Sequence, residues 1–189
     1  MNECPIHHRP LTTADRTSCC GAAEMASPSP KIMVLGIGNT LLQDEGAGVH
    51  AMRQLQMESA GSGVEFMDGG TLSFTLAGLI GDVDCLLVID AAELGGPPGS
   101  VEVFSGAEMD RFLGANRKCS VHEVGLLDLL AVTHLADNLP PQRALIGIQP
   151  EVLGWGELPS AAVMAALPTA CAYARELIRT WRKGEDDER

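Results

Sequence analysis

An α/β fold is predicted for this chain: a single three-layer domain with a twisted, mainly parallel five-stranded sheet and helices on both faces. Three observations predict it. Short strand-like runs alternate with longer helical patterns. Two of the runs are apolar throughout, as strands buried on both faces are. Glycine or aspartate stands at or next to the last position of the first three main runs, which places turn formers and acids at the carboxyl ends of strands, where open α/β sheets bind ligands.

Residues 1–30 are polar, contain Pro and Ser, and follow neither a helix nor a strand period. They are expected to form a disordered extension ahead of a domain spanning 31–183, which an acidic tail, 184–189, follows. The extension holds Cys4, His7, His8, Cys19 and Cys20, but not at a structural zinc spacing. An upstream start codon, with Met25 as the true start, is an equally plain account of it. From Lys31 the elements read in order. Residues 32–37 (Ile-Met-Val-Leu-Gly-Ile) form a buried strand, and a helix follows over 44–57. Residues 64–68 are a second strand, and Gly69-Gly70-Thr71 turns into a helix over 73–80. Residues 84–91 are a third, fully buried strand. Residues 101–104 alternate after a Gly-Gly-Pro-Pro-Gly turn and suit an edge strand. Residues 120–134 are helical, 143–148 are the last strand, and 159–183 are helical, with Pro168 dividing them in two.

The bulk composition narrows the function classes. Hydrophobic residues make up 46% and the mean hydropathy is +0.10, which suits a globular protein. No uninterrupted apolar run approaches the roughly 20 residues of a membrane span. The first 30 residues lack the apolar centre of a secretory signal, so the expected location is cytoplasmic. A net charge of −12 argues against nucleic acid as a partner. The six cysteines form no repeated framework and are expected to be thiols, with Cys85 and Cys171 as small core residues.

Three acids and one imidazole fall at strand ends or a helix start: Glu45, Asp68, Asp90 and His122. Glu45 shares a helical face with Val49 and Met52, a face that should point at the sheet. A carboxylate there is costly unless it is paired or binds a cation. The plain alternative is that Asp44 caps the helix and Glu45 favours its dipole. Asp90 closes an apolar strand, where aspartate also serves simply as a turn former. Ser120-Val121-His122-Glu123 matches a capping box, which puts His122 in a first helical turn and favours its neutral form. Otherwise it is a surface histidine. Glu45, Asp90 and His122 together form an N,O,O set suited to Ni, Zn, Mn or Fe, with positions left open for water or substrate. Asp68, before two glycines, is placed to orient a ligand or water, or else only to form the turn.

These residues resemble those of the hydrogenase maturation endopeptidases, which trim the C-terminus of the NiFe-hydrogenase large subunit. The resemblance runs from about Ile32 to Trp181. It is carried by Leu35 to Val49 (Leu-Gly-Ile-Gly-Asn-Thr-Leu-Leu-Gln-Asp-Glu-Gly-Ala-Gly-Val), Asp68-Gly69-Gly70-Thr71, Val88-Ile89-Asp90-Ala91, Ser120 to Leu126, Gly147 to Glu151, and Gly154-Trp155-Gly156. The ordered set is more specific than any one piece. The resemblance implies that Glu45, Asp90 and His122 are metal ligands. The metal would be the nickel already inserted in the large-subunit precursor, though Zn or Cd would also fit the site. It further implies cleavage just after the metal-binding C-terminal motif, by a protein expected to be monomeric. Asp68 is the expected catalytic carboxylate, orienting a water held at the nickel; alternatively the nickel is only a recognition anchor. The Asn39 to Gln43 wording and Gly154-Trp155-Gly156 look most like the branch serving membrane-bound uptake hydrogenases.

Two other readings share some of these features. Gly36-x-Gly38 after a strand, with Asp68 ending the next, suggests a dinucleotide-binding oxidoreductase. However, Leu41 stands where the third glycine belongs, and Asp44 and Glu45 would repel a pyrophosphate at the helix start. A nickel-binding chaperone without protease activity would share the ligands, yet leave the precursor uncut.

Overall fold

The computed structural model describes residues 29–59, 62–70, 74–115 and 125–184. In chain order the elements are β1 (Ile32–Ile37), a 3-10 turn (Gln43–Gly46), α1 (Ala47–Glu58), β2 (Val64–Gly70), α2 (Thr75–Gly81), β3 (Cys85–Ala91), β4 (Val101–Ser105), α3 (Ala107–Ala115), α4 (Leu126–Leu135), β5 (Gln142–Ile148) and α5 (Ala161–Lys183). The expected leader and acidic tail lie outside the described residues, apart from 29–30 and Gly184.

The five strands form one sheet in the order β2-β1-β3-β5-β4. All pairings are parallel except that of β4 with β5, so the expected edge strand is the antiparallel one. The chain leaves β1 toward β2 and returns on the other side of β1 as β3. The order reverses there, which opens a crevice beyond the carboxyl ends of β1 and β3.

Strand alternation sorts the core into two layers. Ile32, Val34, Leu87, Ile89, Ile146 and Ile148 pack against α1 and α5. Met33, Leu35, Leu86, Val88 and Leu145 pack on the other side with residues of α2, α3 and α4. Ala47, Ala51 and Leu55 make α1 a helix with one apolar stripe, and all three are fully buried. Cys85 and Cys171 are buried thiols, as expected. Burial, then the nearby Glu58 carboxylate, push the Cys171 thiol up to about 11.

Three helices differ from expectation. Pro168 does not divide α5, which runs unbroken from Ala161 to Lys183. Pro168 and Met164, whose carbonyl loses its partner to the proline, both lie on the exposed side, where water can serve that carbonyl. Val163, Leu167, Cys171, Ala174 and Ile178 hold both halves on the core. By length and mean hydropathy α5 would pass as a membrane span, but this stripe belongs to the core. Next, α4 begins at Leu126, within the span expected to be helical, 120–134. Gly125 is its extended N-cap, with ψ 161°, and its N–H donates to Asp128 Oδ2 at 3.1 Å. Glycine is a poor interior helix residue and Asp128 supplies the return cap, so the boundary falls there. The expected capping box at Ser120 and Glu123 lies outside the described residues. Finally, α3 was not foreseen. It is fixed by Asp110, which accepts from the Arg143 guanidinium on β5.

Candidate functional site

The glycine-rich loop after β1 folds back on itself. Gly38 has φ +122°, a conformation that suits glycine, and its N–H donates to Gly70 O at 3.1 Å, which ties the loop to the end of β2. A Cβ at Gly38 would lie 1.7 Å from the Glu45 carbonyl oxygen. Asn39 Oδ1 accepts from Leu41 N at 3.0 Å and shapes the turn between them.

The start of α1 seats directly on the strand ends. A Cβ at Gly48 would stand 2.0 Å from Ile89 O and 2.5 Å from Ile37 O. This contact fixes α1 against the carboxyl ends of β1 and β3, and the preceding 3-10 turn, which carries Glu45, packs on β3. Gly48→Ala therefore forces backbone apart. It is expected to cost about 2–3 kcal/mol by overpacking, read as a lower denaturant midpoint at unchanged slope.

Glu45 and Asp90 thus reach the same end of the sheet. Both are half-buried. Among the described residues no group donates a hydrogen bond to the Glu45 carboxylate. Asp90 sits opposite Gly147 in the β3–β5 register. By alternation it faces the layer of α2 and α4, since Ile89 and Ala91 both pack on the other layer.

Asp68 is placed differently. It lies across β1 from β3, opposite Gly36 in the β1–β2 register, and on the α1 side. Arg53 of α1 donates to its Oδ2 at 2.9 Å, and Gly70 N to its Oδ1 at 3.0 Å. With Gly38, Asn39, Thr40 and Gly70 it lines a depression of about 280 Å³. Asp68 and Asp90 stand two strand spacings apart, about 10 Å across the sheet. His122, the remaining expected ligand, lies outside the described residues.

The fully buried acid of the loop is Asp44, not Glu45. The 3-10 turn rotates the pair away from the α-helical phase that would have put Glu45 inward. Asp44 Oδ2 accepts from Glu151 N at 2.8 Å and Val152 N at 2.9 Å, and Oδ1 from Ser160 N at 2.5 Å. Asp44 therefore caps no helix of its own; it clamps the segment 150–160. Burial works to raise its pKa, but backbone donors from Val152, Ser160 and Glu151 outweigh that and hold it below the usual carboxylate value. The same segment forms a parallel bridge from Gly156 to Leu42. Gln43, which donates to Gly156 O at 2.9 Å, takes a left-handed φ of 47° there. That conformation costs a non-glycine residue about 1–2 kcal/mol, offset here by the bridge. His50 of α1 approaches the same segment. Burial, then the Arg53 charge, lower its pKa, while a hydrogen bond to the Glu157 backbone works the other way. The adjacent acids in the sequence were a signal for Asp44; its partners were not visible there. A second missed residue is Gln149, buried, whose Oε1 accepts from Leu94 N at 2.7 Å.

This loop makes a poor dinucleotide site. The first turn is acidic, and Gly48 lies hard against the Ile89 carbonyl, so no bare helix N-terminus faces a phosphate. The comparisons point elsewhere. Residues 49–176 match the family model described as hydrogenase maturation protease, a span that includes Asp68, Asp90 and His122. The hydrogenase expression/formation protein HupM of Azotobacter chroococcum is 37% identical over 172 residues, covering 87% of this chain and 82% of its own. The protein HupD of Rhizobium leguminosarum bv. viciae is 35% identical over 156 residues, covering 82% and 77%. Among solved structures, the hydrogenase maturating endopeptidase HybD from E. coli superposes with a TM-score of 0.71 at 29% identity, covering 79% of this chain and 93% of its own. With the family model, the relatives and the fold in agreement, the chain belongs to the hydrogenase maturation protease family and is an endopeptidase of that family.

Proposed function

We propose that this protein removes the C-terminal extension of a nickel-loaded NiFe-hydrogenase large-subunit precursor in the cytoplasm, and that it recognises the nickel through Glu45, Asp90 and His122. The observation that carries this reading is the delivery of two half-buried carboxylates to one sheet end, with Glu45 lacking a hydrogen-bond donor among the described residues. A carboxylate so placed is best satisfied by a cation, and the N,O,O set suits a borderline divalent one such as nickel. The nickel is part of the substrate. It marks where the chain ends its metal-binding motif, and it supplies Lewis-acid polarisation at the neighbouring peptide.

In this reading the protein's own groups position the chain to be cut. Asp68 orients the attacking water, takes its proton as the oxygen adds to the carbonyl carbon, and returns that proton to the departing amine as the C–N bond breaks. Arg53 and Gly70 N hold that carboxylate in one orientation, which lowers the cost of organising it during reaction. The plainest test is the mass of the purified precursor after incubation with the protein, with and without nickel loading. Loss of the extension from the loaded precursor alone is the expected result. A loaded precursor of unchanged mass overturns the reading and leaves a binding role only.

A further inference from the structure

The segment pinned by Asp44 presents an unusual surface. Trp155 is 85% exposed, Leu158 71%, Leu153 66%, and Leu41 on the facing loop 51%. The parallel bridge between Leu42 and Gly156 brings Leu41 beside Trp155. Large apolar side chains standing together in water on a rigidly tied loop mark an interaction site rather than chance exposure. The tie is specific: three backbone N–H groups of the segment are held by one buried carboxylate, and Gly156 packs on the Gln43 side chain, where a Cβ would come within 2.8 Å of Cγ. The shelf is also joined to the proposed site by the loop, because Leu41 and Leu42 directly precede the 3-10 turn that carries Glu45. Glu151 and Glu157, both exposed, flank the apolar residues.

We infer that Leu41, Leu153, Trp155 and Leu158 form a docking shelf for the polypeptide being cut. It would take an extended stretch next to the scissile bond that carries a large apolar side chain with Lys or Arg neighbours. The inference rests on the proposed processing reaction. Apolar area supplies the affinity, with the tryptophan as anchor. The flanking glutamates, on a chain of net charge −12, favour basic neighbours and disfavour acidic ones.

The test uses the full chain and the nickel-loaded precursor. The double variant Leu41→Ser, Trp155→Ser is expected to raise the half-saturating precursor concentration about tenfold, with the maximal rate within about twofold. Glu151→Lys with Glu157→Lys should raise it too, and that weakening should shrink as salt is increased. In a Trp181→Phe background, Trp155 emission should move to the blue when precursor is added. Unchanged half-saturation in both double variants, with cutting intact, overturns the shelf while leaving the processing reaction standing. If wild type is a dimer in light scattering and the Leu41, Trp155 variant a monomer, the shelf belongs to a second copy and the inference is wrong. Failure of wild type to shorten the precursor at all sinks the processing reaction itself, and the shelf with it.

Discussion

Glu45→Gln and Asp90→Asn should each slow removal of the extension from nickel-loaded precursor by at least about 100-fold, and His122→Gln should do the same. Losing an outer partner of a metal ligand typically costs 10–100-fold in affinity or activity, so losing a ligand itself sets that range as a floor. The amides keep the shape of the side chains, remove the charge and put an N–H₂ donor in place of one acceptor oxygen. For Glu45 this should cost the fold less than about 0.5 kcal/mol, since the group is half-buried and receives no hydrogen bond from the described residues. Asp90 keeps an interaction within the fold, so its variant should also lose about 1 kcal/mol of stability. The distinguishing result is therefore a large kinetic defect in Glu45→Gln at a wild-type unfolding midpoint. A time course of precursor mass measures the rate. Processing at wild-type rates in all three variants would show that the metal ligands lie elsewhere.

The second large effect is on stability. Asp44→Ala should cost about 3–5 kcal/mol, because it leaves three N–H donors in a part-buried place without an acceptor. Asp44→Asn should recover little, since its amide can present only one oxygen and sets an N–H₂ group against the other donors. Both should release the segment 150–160, so protease nicking there should precede global unfolding. The pH dependence follows from the sign of the Asp44 shift. Its folded pKa lies below the unfolded value of 3.8, so its contribution is present above that value and is lost as pH falls through the folded one. Wild type should therefore destabilise more steeply than Asp44→Ala on acidification below about pH 4, a difference that denaturant titrations at pH 3 and pH 6 would reveal. Parallel acid curves for the two proteins would rule out the clamp.

Much of this molecule is legible in its sequence. β1, β3 and β5 read correctly because strands buried on both faces carry unbroken apolar runs, and β4 because a glycine–proline turn isolates it at the edge. Asp68 and Asp90 were placed at strand ends because short acids stop apolar runs and start turns. The loop from Gly36 to Gly48 was recognisable because backbones that touch, as at Gly48 and Ile89, leave room for no other residue type. These are local constraints, and each leaves its mark within a few residues.

What escaped depends on neighbours distant in the chain. Pro168 looked like a break, yet core contacts on both sides of it hold α5 straight while water serves the freed carbonyl. The start of α4 at Leu126, after the Gly125 N-cap, was decided by one competing cap, Asp128. Asp44 and not Glu45 is the buried acid for the same reason: the partners of Asp44 lie 107 to 116 residues further on, and a 3-10 turn, not a continuous helix, sets which of the two acids points inward. Local patterns in the chain were enough to specify the sheet, its layers and the arrival of acids at one end. Which acid is buried and which stays half-exposed was settled by tertiary structure, because a buried carboxylate goes where backbone donors can converge on it, and only the assembled fold brings them there.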